Sequence, residues 1–211
     1  VGSLAFLFAS IFFIGFFIRS RRNGLIYHAF FRRGNIIYLL LGLLFFFAFG
    51  EEISWGQRLF GWQTPEHLKE INLQQETNFH NLKIFNLQHE KLREKYGILA
   101  HAFSLSPGRL FFYFWFSFLI VVPMLDRYSV GWRQKFKSFH MPIPPMWIGG
   151  LMIVTFLLSK IFNTIAKHQY IGNYNTVDEF MEMDYAIVFA GLTLYWSWTK
   201  IYLDGSKLLE K

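Results

Sequence analysis

Five apolar runs divide this chain of 211 residues: Val1–Ile18, Ile36–Gly50, Leu110–Leu125, Met146–Phe162 and Tyr185–Leu203. Each holds 15 to 19 residues, close to the roughly 20 that a helix needs to cross a bilayer. Spans this short suit a thin membrane, or extension by flanking Trp and Tyr. A soluble domain could not hide the side chains that these runs carry, because the sequence is 53% hydrophobic and 21% aromatic, with 27 phenylalanines. The expected fold is therefore all-α: a polytopic membrane bundle of five transmembrane helices. No cleavable signal peptide is visible. The chain opens at Val1 without Met and already inside an apolar run. That leads us to expect residues ahead of it, with room for a sixth helix.

Basic residues set the expected orientation. Arg19, Arg21, Arg22, Arg32 and Arg33 follow the first run, Arg127, Arg133, Lys135 and Lys137 follow the third, and Lys200, Lys207 and Lys211 close the chain. Positively charged connections stay in the cytoplasm. Val1 is then outside and the C-terminus inside, in what we expect to be the bacterial inner membrane. The net charge of +7 follows from this topology, and nucleic acid is not an expected partner, since no soluble basic face is present. The stretch RSRRNGLIYHAFFRRGN mixes arginine with aromatic residues. It reads as an interfacial segment that binds anionic lipid headgroups on the cytoplasmic face, with the bilayer itself as the main partner. Trp55, Trp62, Trp132, Trp147, Trp196 and Trp198 fall near span ends, as an interfacial aromatic belt would. The absence of cysteine excludes disulfides and thiolate metal sites.

The connection from Glu51 to Arg109 is too long for a structureless loop. Thr64-Pro65-Glu66 reads as a helix start, with Thr64 as N-cap. A second helical stretch is expected at about His89–Ala102, and Ser106-Pro107-Gly108 ends the connection. We expect a helical cap on the non-cytoplasmic side, residues 61–109, inserted between the second and third helices of a single domain, 1–211.

Three constellations could carry chemistry. The second run ends in Glu51-Glu52, followed by Gln57 and Arg58. An ionisable residue costs roughly 2.5–3.5 kcal/mol at the centre of a membrane helix, so such residues mark function by default. If the helix continues through Phe60, Glu51 and Arg58 share a face. Two adjacent carboxylates should raise one pKa unless a cation intervenes, which is how a base or a metal site is poised. The alternative is a pair of solvated charges at headgroup level, with Arg58 as a structural partner. Glu76 and His80 are four apart, so on a helix they could chelate one divalent metal ion. Asn72, Gln74, Gln75, Asn78 and Asn81 surround them with amides; the alternative there is a solvated loop. The third group is Asn173, Asn175, Asp178, Glu179, Glu182 and Asp184. A helix start capped by Thr176 with Glu179 explains most of it; otherwise Glu179 or Glu182 would turn inward to join Glu52 and His80.

The stretch GEEISWGQRLFGWQTPEHLKEINLQQETNFHNL, residues 50–82, resembles a family of uncharacterised bacterial polytopic membrane proteins. Its pattern is a Gly-Glu-Glu-x-Ser-Trp-Gly-Gln-Arg block, then Thr-Pro-Glu, then Asn-x-Gln-x-Glu-x-Asn-x-His-Asn. The resemblance implies that Glu51, Glu52, Gln57, Arg58, Glu76, His80 and Asn81 belong together, and it brings no activity. The Glu-Glu pair also looks like the opening of the CAAX-protease and bacteriocin-processing family of intramembrane enzymes. That family continues Glu-Glu-x-x-x-Arg and adds Phe-x-x-x-His. Here Arg58 stands six residues after Glu52, two more than the motif asks. Phe85 to His89 and Phe136 to His140 both satisfy the second motif, the latter on the expected cytoplasmic side.

Three functions follow as expectations. The first is an interfacial or intramembrane hydrolase or transferase with Glu51, Glu52, Glu76 and His80 as catalytic groups. Glu52 or Glu76 would act as base, or Glu76 with His80 as metal ligands, to activate a water. Gln57, Arg58 and Asn81 would bind substrate, with Arg58 on an anionic group. The second is a non-catalytic subunit of a larger membrane complex, with other membrane subunits as partners. The third is an ion or proton carrier through Glu51 and Glu52, against which the lack of an internal repeat argues.

Overall fold

A computed structural model describes residues 2–22, 34–96, 106–169 and 174–199, with side chains for all of these except 58, 86, 87, 89, 92, 163, 166–169 and 174–182. The helices are α1 (Gly2–Arg22), α2 (Ile36–Glu52), a 3-10 turn (Ser54–Gly56), α3 (Gln57–Phe60), α4 (Glu66–Ile71) and α5 (Lys83–Tyr96). They continue as α6 (Pro107–Tyr128), α7 (Val130–Ser138), α8 (Met146–Gln169) and α9 (Tyr174–Thr199). Among the described residues there is no strand, only an isolated bridge between Asn72 and Leu82. The fold is all-α, as expected. α1 and α6 are long and apolar enough to cross a membrane, and Met146–Phe162 is a shorter apolar helix.

The chain forms two compact units, Val1–Phe47 with Ser117–Lys211, and Ala48–Phe116. In the first, α1 and α8 both pack on α9. Phe13 lies at its centre, stacked on Phe45 at 5.6 Å and edge-on to Trp196 at 5.9 Å. Phe189 closes on Phe45 at 4.6 Å. Aromatic pairs of this kind are worth about 0.5–1.5 kcal/mol each beyond the area they bury. Trp196 also meets Tyr38 and Phe118 edge-on and is 0% exposed. It belongs to the core, whereas its position near a span end predicts a place in the aromatic belt. Trp62, Trp132, Trp147 and Trp198 are exposed.

Small residues let the helices of this unit approach closely. A Cβ at Gly42 would lie 2.7 Å from Ile14 Cγ1, and beside it Ser10 Oγ donates to the Gly42 carbonyl at 2.8 Å. α6 widens into a π turn over Ser117–Val121. Pro123 explains this: it has no N–H for the carbonyl four residues back, that of Leu119, and the ladder must open around it. A Cβ at Gly149 would lie 2.3 Å from that same Leu119 carbonyl oxygen. The glycine in α8 therefore seats against the irregular turn of α6. The connections after α1 and after α7 meet, since Asn35 Nδ2 donates to the His140 carbonyl at 2.7 Å and Asn35 N–H donates to Ser20 Oγ at 2.8 Å.

The second unit contains the described part of residues 61–109, and begins inside α2. Several boundaries differ from expectation. α2 stops at Glu52 and does not run through Phe60. α4 starts at Glu66, capped by Pro65 without a side-chain bond, because the Thr64 hydroxyl is engaged elsewhere. α5 begins at Lys83, ahead of the expected His89. In the first unit, α9 begins at Tyr174, which puts Thr176 inside the helix and not at its cap. The basic residues Arg32, Arg33, Lys200, Lys207 and Lys211, with Val1, His28, His101 and Asn173, lie outside the described residues.

Candidate functional site

The site grows from a reversal of the chain at the end of α2. Ser54 (φ 48°), Trp55 (φ 53°) and Gly56 (φ 90°) are successive left-handed residues. Only glycine adopts this freely, and the other two cost about 1–2 kcal/mol each. The reversal carries the Trp55 ring back over Gly50, where a Cβ would sit 2.8 Å from ring atom Cζ3. Trp55 Nε1–H donates to Glu51 Oε1 at 2.6 Å, which offsets part of that strain.

Glu51 is the hub. Its other oxygen, Oε2, accepts the backbone N–H of Phe79 at 2.7 Å and of His80 at 2.9 Å. The His80 ring nitrogen Nδ1 lies 3.2 Å from the same oxygen. Asn81 Nδ2 donates to Gln74 Oε1 at 2.9 Å and faces His80 Nε2 at 3.0 Å. An amide that donates to Nε2 leaves the ring proton on Nδ1, aimed at Glu51. The chain Glu51–His80–Asn81–Gln74 is thus a carboxylate–imidazole–amide relay. Burial pushes the Glu51 carboxyl upward, but the His80 ring, the Trp55 indole and the amides of His80 and Phe79 outweigh it, and hold the group below its ordinary value. Glu51 stands just past Gly50, where the apolar run ends. The raised pKa expected from two adjacent carboxylates is not what Glu51 has. Glu52, the next residue round, is half-buried.

A second hub sits on Ser54. Its hydroxyl donates to Glu76 Oε2 at 2.6 Å, and Asn78 Nδ2 reaches the same carboxylate oxygen at 2.9 Å. Its carbonyl accepts from Thr77 Oγ1 at 2.6 Å. Gln57 Oε1 accepts the Thr77 N–H at 2.9 Å, and Gln57 Nε2 donates to Thr64 Oγ1 at 2.8 Å. Thr64 in turn donates to the Gln75 carbonyl at 2.7 Å. Asn72 is buried; its Oδ1 accepts from Gln74 N–H, and its Nδ2 donates to the Asn78 carbonyl at 2.8 Å. Leu73 N–H donates to the Asn81 carbonyl, closing the loop at its base. Residues 72–82 are therefore held from inside by their own amides and from the side by α2 and α3.

This arrangement gathers Glu51, Gln57, Glu76, His80 and Asn81 into one network, but not in the predicted form. Residues 72–82 are turns and bends rather than a helix, so the four-residue spacing of Glu76 and His80 does not set them on one face. Glu76 is bonded to Ser54 and Asn78, while His80 is bonded to Glu51 and Asn81. Among the described residues no group of three or more His, Asp or Glu could hold a metal ion. The shared helical face of Glu51 and Arg58 is lost with the break at Ile53; the Arg58 side chain is outside the described ones, as are those of Asn175, Asp178, Glu179 and Glu182. Asp184 is half-buried in α9. Sequence reasoning missed Ser54, Trp55, Thr64 and Thr77 as network members. The signal for Trp55 was the glycine on either side of it, at 50 and 56.

No family model, curated protein or solved structure matches this chain.

Proposed function

We propose that the chain is a five-span integral membrane protein of the bacterial inner membrane, with its N-terminal end outside and its C-terminus in the cytoplasm, and that it serves as a non-catalytic subunit of a membrane assembly. Membrane residence is supported by the apolar faces that α1, α2 and α8 leave exposed, including Leu4, Ile11, Leu40, Leu43, Leu157 and Ile161. Soluble monomers rarely expose contiguous apolar surface on this scale. The orientation rests on the arginines and lysines that follow the first and third runs.

The non-catalytic role rests on one observation above the others: the Glu51 carboxylate accepts from an indole, an imidazole and two backbone amides. A carboxylate has about four acceptor sites; here three fixed donors converge on Oε2 and the indole takes Oε1. Such a group holds a loop in place; it is not poised to take a proton from water or to ligate a metal. The test is purification of the tagged chain from its own membranes in mild detergent. The expected result is stoichiometric companion membrane proteins that stay with the chain through size exclusion. A chain that comes out of its own membranes alone would sink the subunit reading.

A second reading draws on the Glu51–His80–Asn81 relay. A carboxylate that orients an imidazole is half of an acid–base centre, and the His80 side chain is one-third exposed. In an interfacial hydrolase or transferase, Glu51 would orient His80, and Asn81 would yield His80 Nε2 to a substrate proton. His80→Gln separates the two readings: the hydrolase would lose activity with its fold intact, whereas the subunit would lose order in residues 72–82.

A further inference from the structure

α7 is a nine-residue helix, Val130–Ser138, set between two apolar helices, α6 and α8. α6 ends at Tyr128, and Ser129 turns the chain through an extended backbone (φ −127°, ψ 111°) before α7 begins. Arg133 fixes the corner, since its Nε donates to the Asp126 carbonyl and its Nη2 to the Arg127 carbonyl, both at 2.7 Å. These are carbonyls of the last turn of α6, where a cation is favoured. α7 is therefore a braced element and not a loose connection.

Its surface is divided. Trp132 and Phe136 are four apart, with tilted rings 5.6 Å between centroids, and Phe139 extends the stripe just beyond the helix. Trp132, Phe139, Tyr128 and Val130 are all exposed. Lys135 Nζ lies 4.8 Å over the Trp132 ring, on the flank of the stripe. Between residues 126 and 139 the charges are Arg127, Arg133, Lys135 and Lys137 against Asp126 alone. A short helix with an exposed aromatic stripe and a surplus of cations matches one environment well: the headgroup layer of an anionic leaflet. The cationic surplus selects lipid over a protein groove, which would have to supply acidic groups of its own.

We infer that α7 lies in the cytoplasmic interface with its Trp132–Phe136–Phe139 stripe among the lipid chains, and that Lys135 and Lys137 bind anionic phospholipid headgroups. This rests on the membrane reading given above, and adds a second headgroup contact beside the basic connection after the first run.

The chain has no cysteine, and a Cβ at Gly131 meets nothing within 4 Å, so Gly131→Cys offers a single, unstrained thiol. The full chain carrying it, labelled with an environment-sensitive dye, is placed in nanodiscs of phosphatidylcholine alone or with phosphatidylglycerol. Incorporation into the discs checks the membrane reading by itself. The inference predicts a blue shift that grows with the phosphatidylglycerol fraction and shrinks with salt. Lys135→Gln with Lys137→Gln should weaken the phosphatidylglycerol preference roughly fivefold per charge removed, while leaving the emission in phosphatidylcholine unchanged. If the incorporated protein emits identically in both discs, or keeps its full phosphatidylglycerol response without the two lysines, α7 is not an anionic-lipid helix.

Discussion

Glu51 takes its four hydrogen bonds from donors that belong to different pieces of chain: an indole four residues on, and two amides and a ring from a loop nearly thirty residues away. Replacing it by Gln keeps the shape but turns one acceptor oxygen into an N–H facing other N–H groups. We expect Glu51→Gln to cost about 2–4 kcal/mol, read as a lower midpoint in denaturant for the purified protein. The pH dependence follows from the depressed carboxyl. A group whose folded pKa lies below its unfolded one contributes stability that is complete above the ordinary carboxylate range and is lost as pH falls through the lower, folded value. The second unit should therefore hold through mild acid and loosen only below the ordinary carboxylate range. In Glu51→Gln that acid-dependent contribution should be missing; an unchanged acid midpoint would mean that the carboxylate does not carry it. Gly50 belongs to the same account. Gly50→Ala puts a methyl within 2.8 Å of the Trp55 ring, and should displace the indole from Glu51 at a cost of about 1–3 kcal/mol, seen as a shift in tryptophan emission.

The helices show how far local pattern reaches. The apolar runs placed α1, α2, α6, α8 and α9 because hydrophobic length is a one-dimensional property. The end of α2 was not legible in the same way. Gln57-Arg58-Leu59-Phe60 forms helix well, and only the left-handed residues 54–56, held by bonds to a distant loop, break the continuity. Thr64-Pro65-Glu66 reads as a cap, yet the Thr64 hydroxyl goes to Gln57 and Gln75, a tertiary choice that spacing does not reveal. The same holds for Trp196, which a position near a span end assigns to the interface and which packing assigns to the core. Residue types alone set Glu51 and Gln57 in one group and Glu76, His80 and Asn81 in another; only the resemblance over residues 50–82 implied that they belong together. Their bonding was not legible, because it depends on turns in residues 72–82. At this scale Gly149 makes the sharpest prediction. Its Cβ position lies 2.3 Å from a backbone oxygen, so Gly149→Ala must push α8 away from the π turn of α6. We expect a loss of about 1–3 kcal/mol, whereas Gly150→Ala, with open space around it, should be tolerated. Thermal unfolding in detergent compares the two.

For the whole molecule, the proposed topology and the polar network that orders residues 72–82 of the second unit are tested separately. Topology is checked with single thiols, since the chain supplies none. Gln63→Cys should react with an impermeant reagent on intact cells, and Gly131→Cys only after the membrane is opened; the reverse pattern would invert the orientation. The most direct test of the structural role of the network is backbone amide exchange at Phe79 and His80, in wild type and in Glu51→Gln. Strong protection is expected at both amides in wild type, lost in the variant together with the rest of residues 72–82, while α1, α8 and α9 exchange as before. Equal protection in the two proteins would contradict the structural role, and would return Glu51 to the role of a carboxylate kept for chemistry.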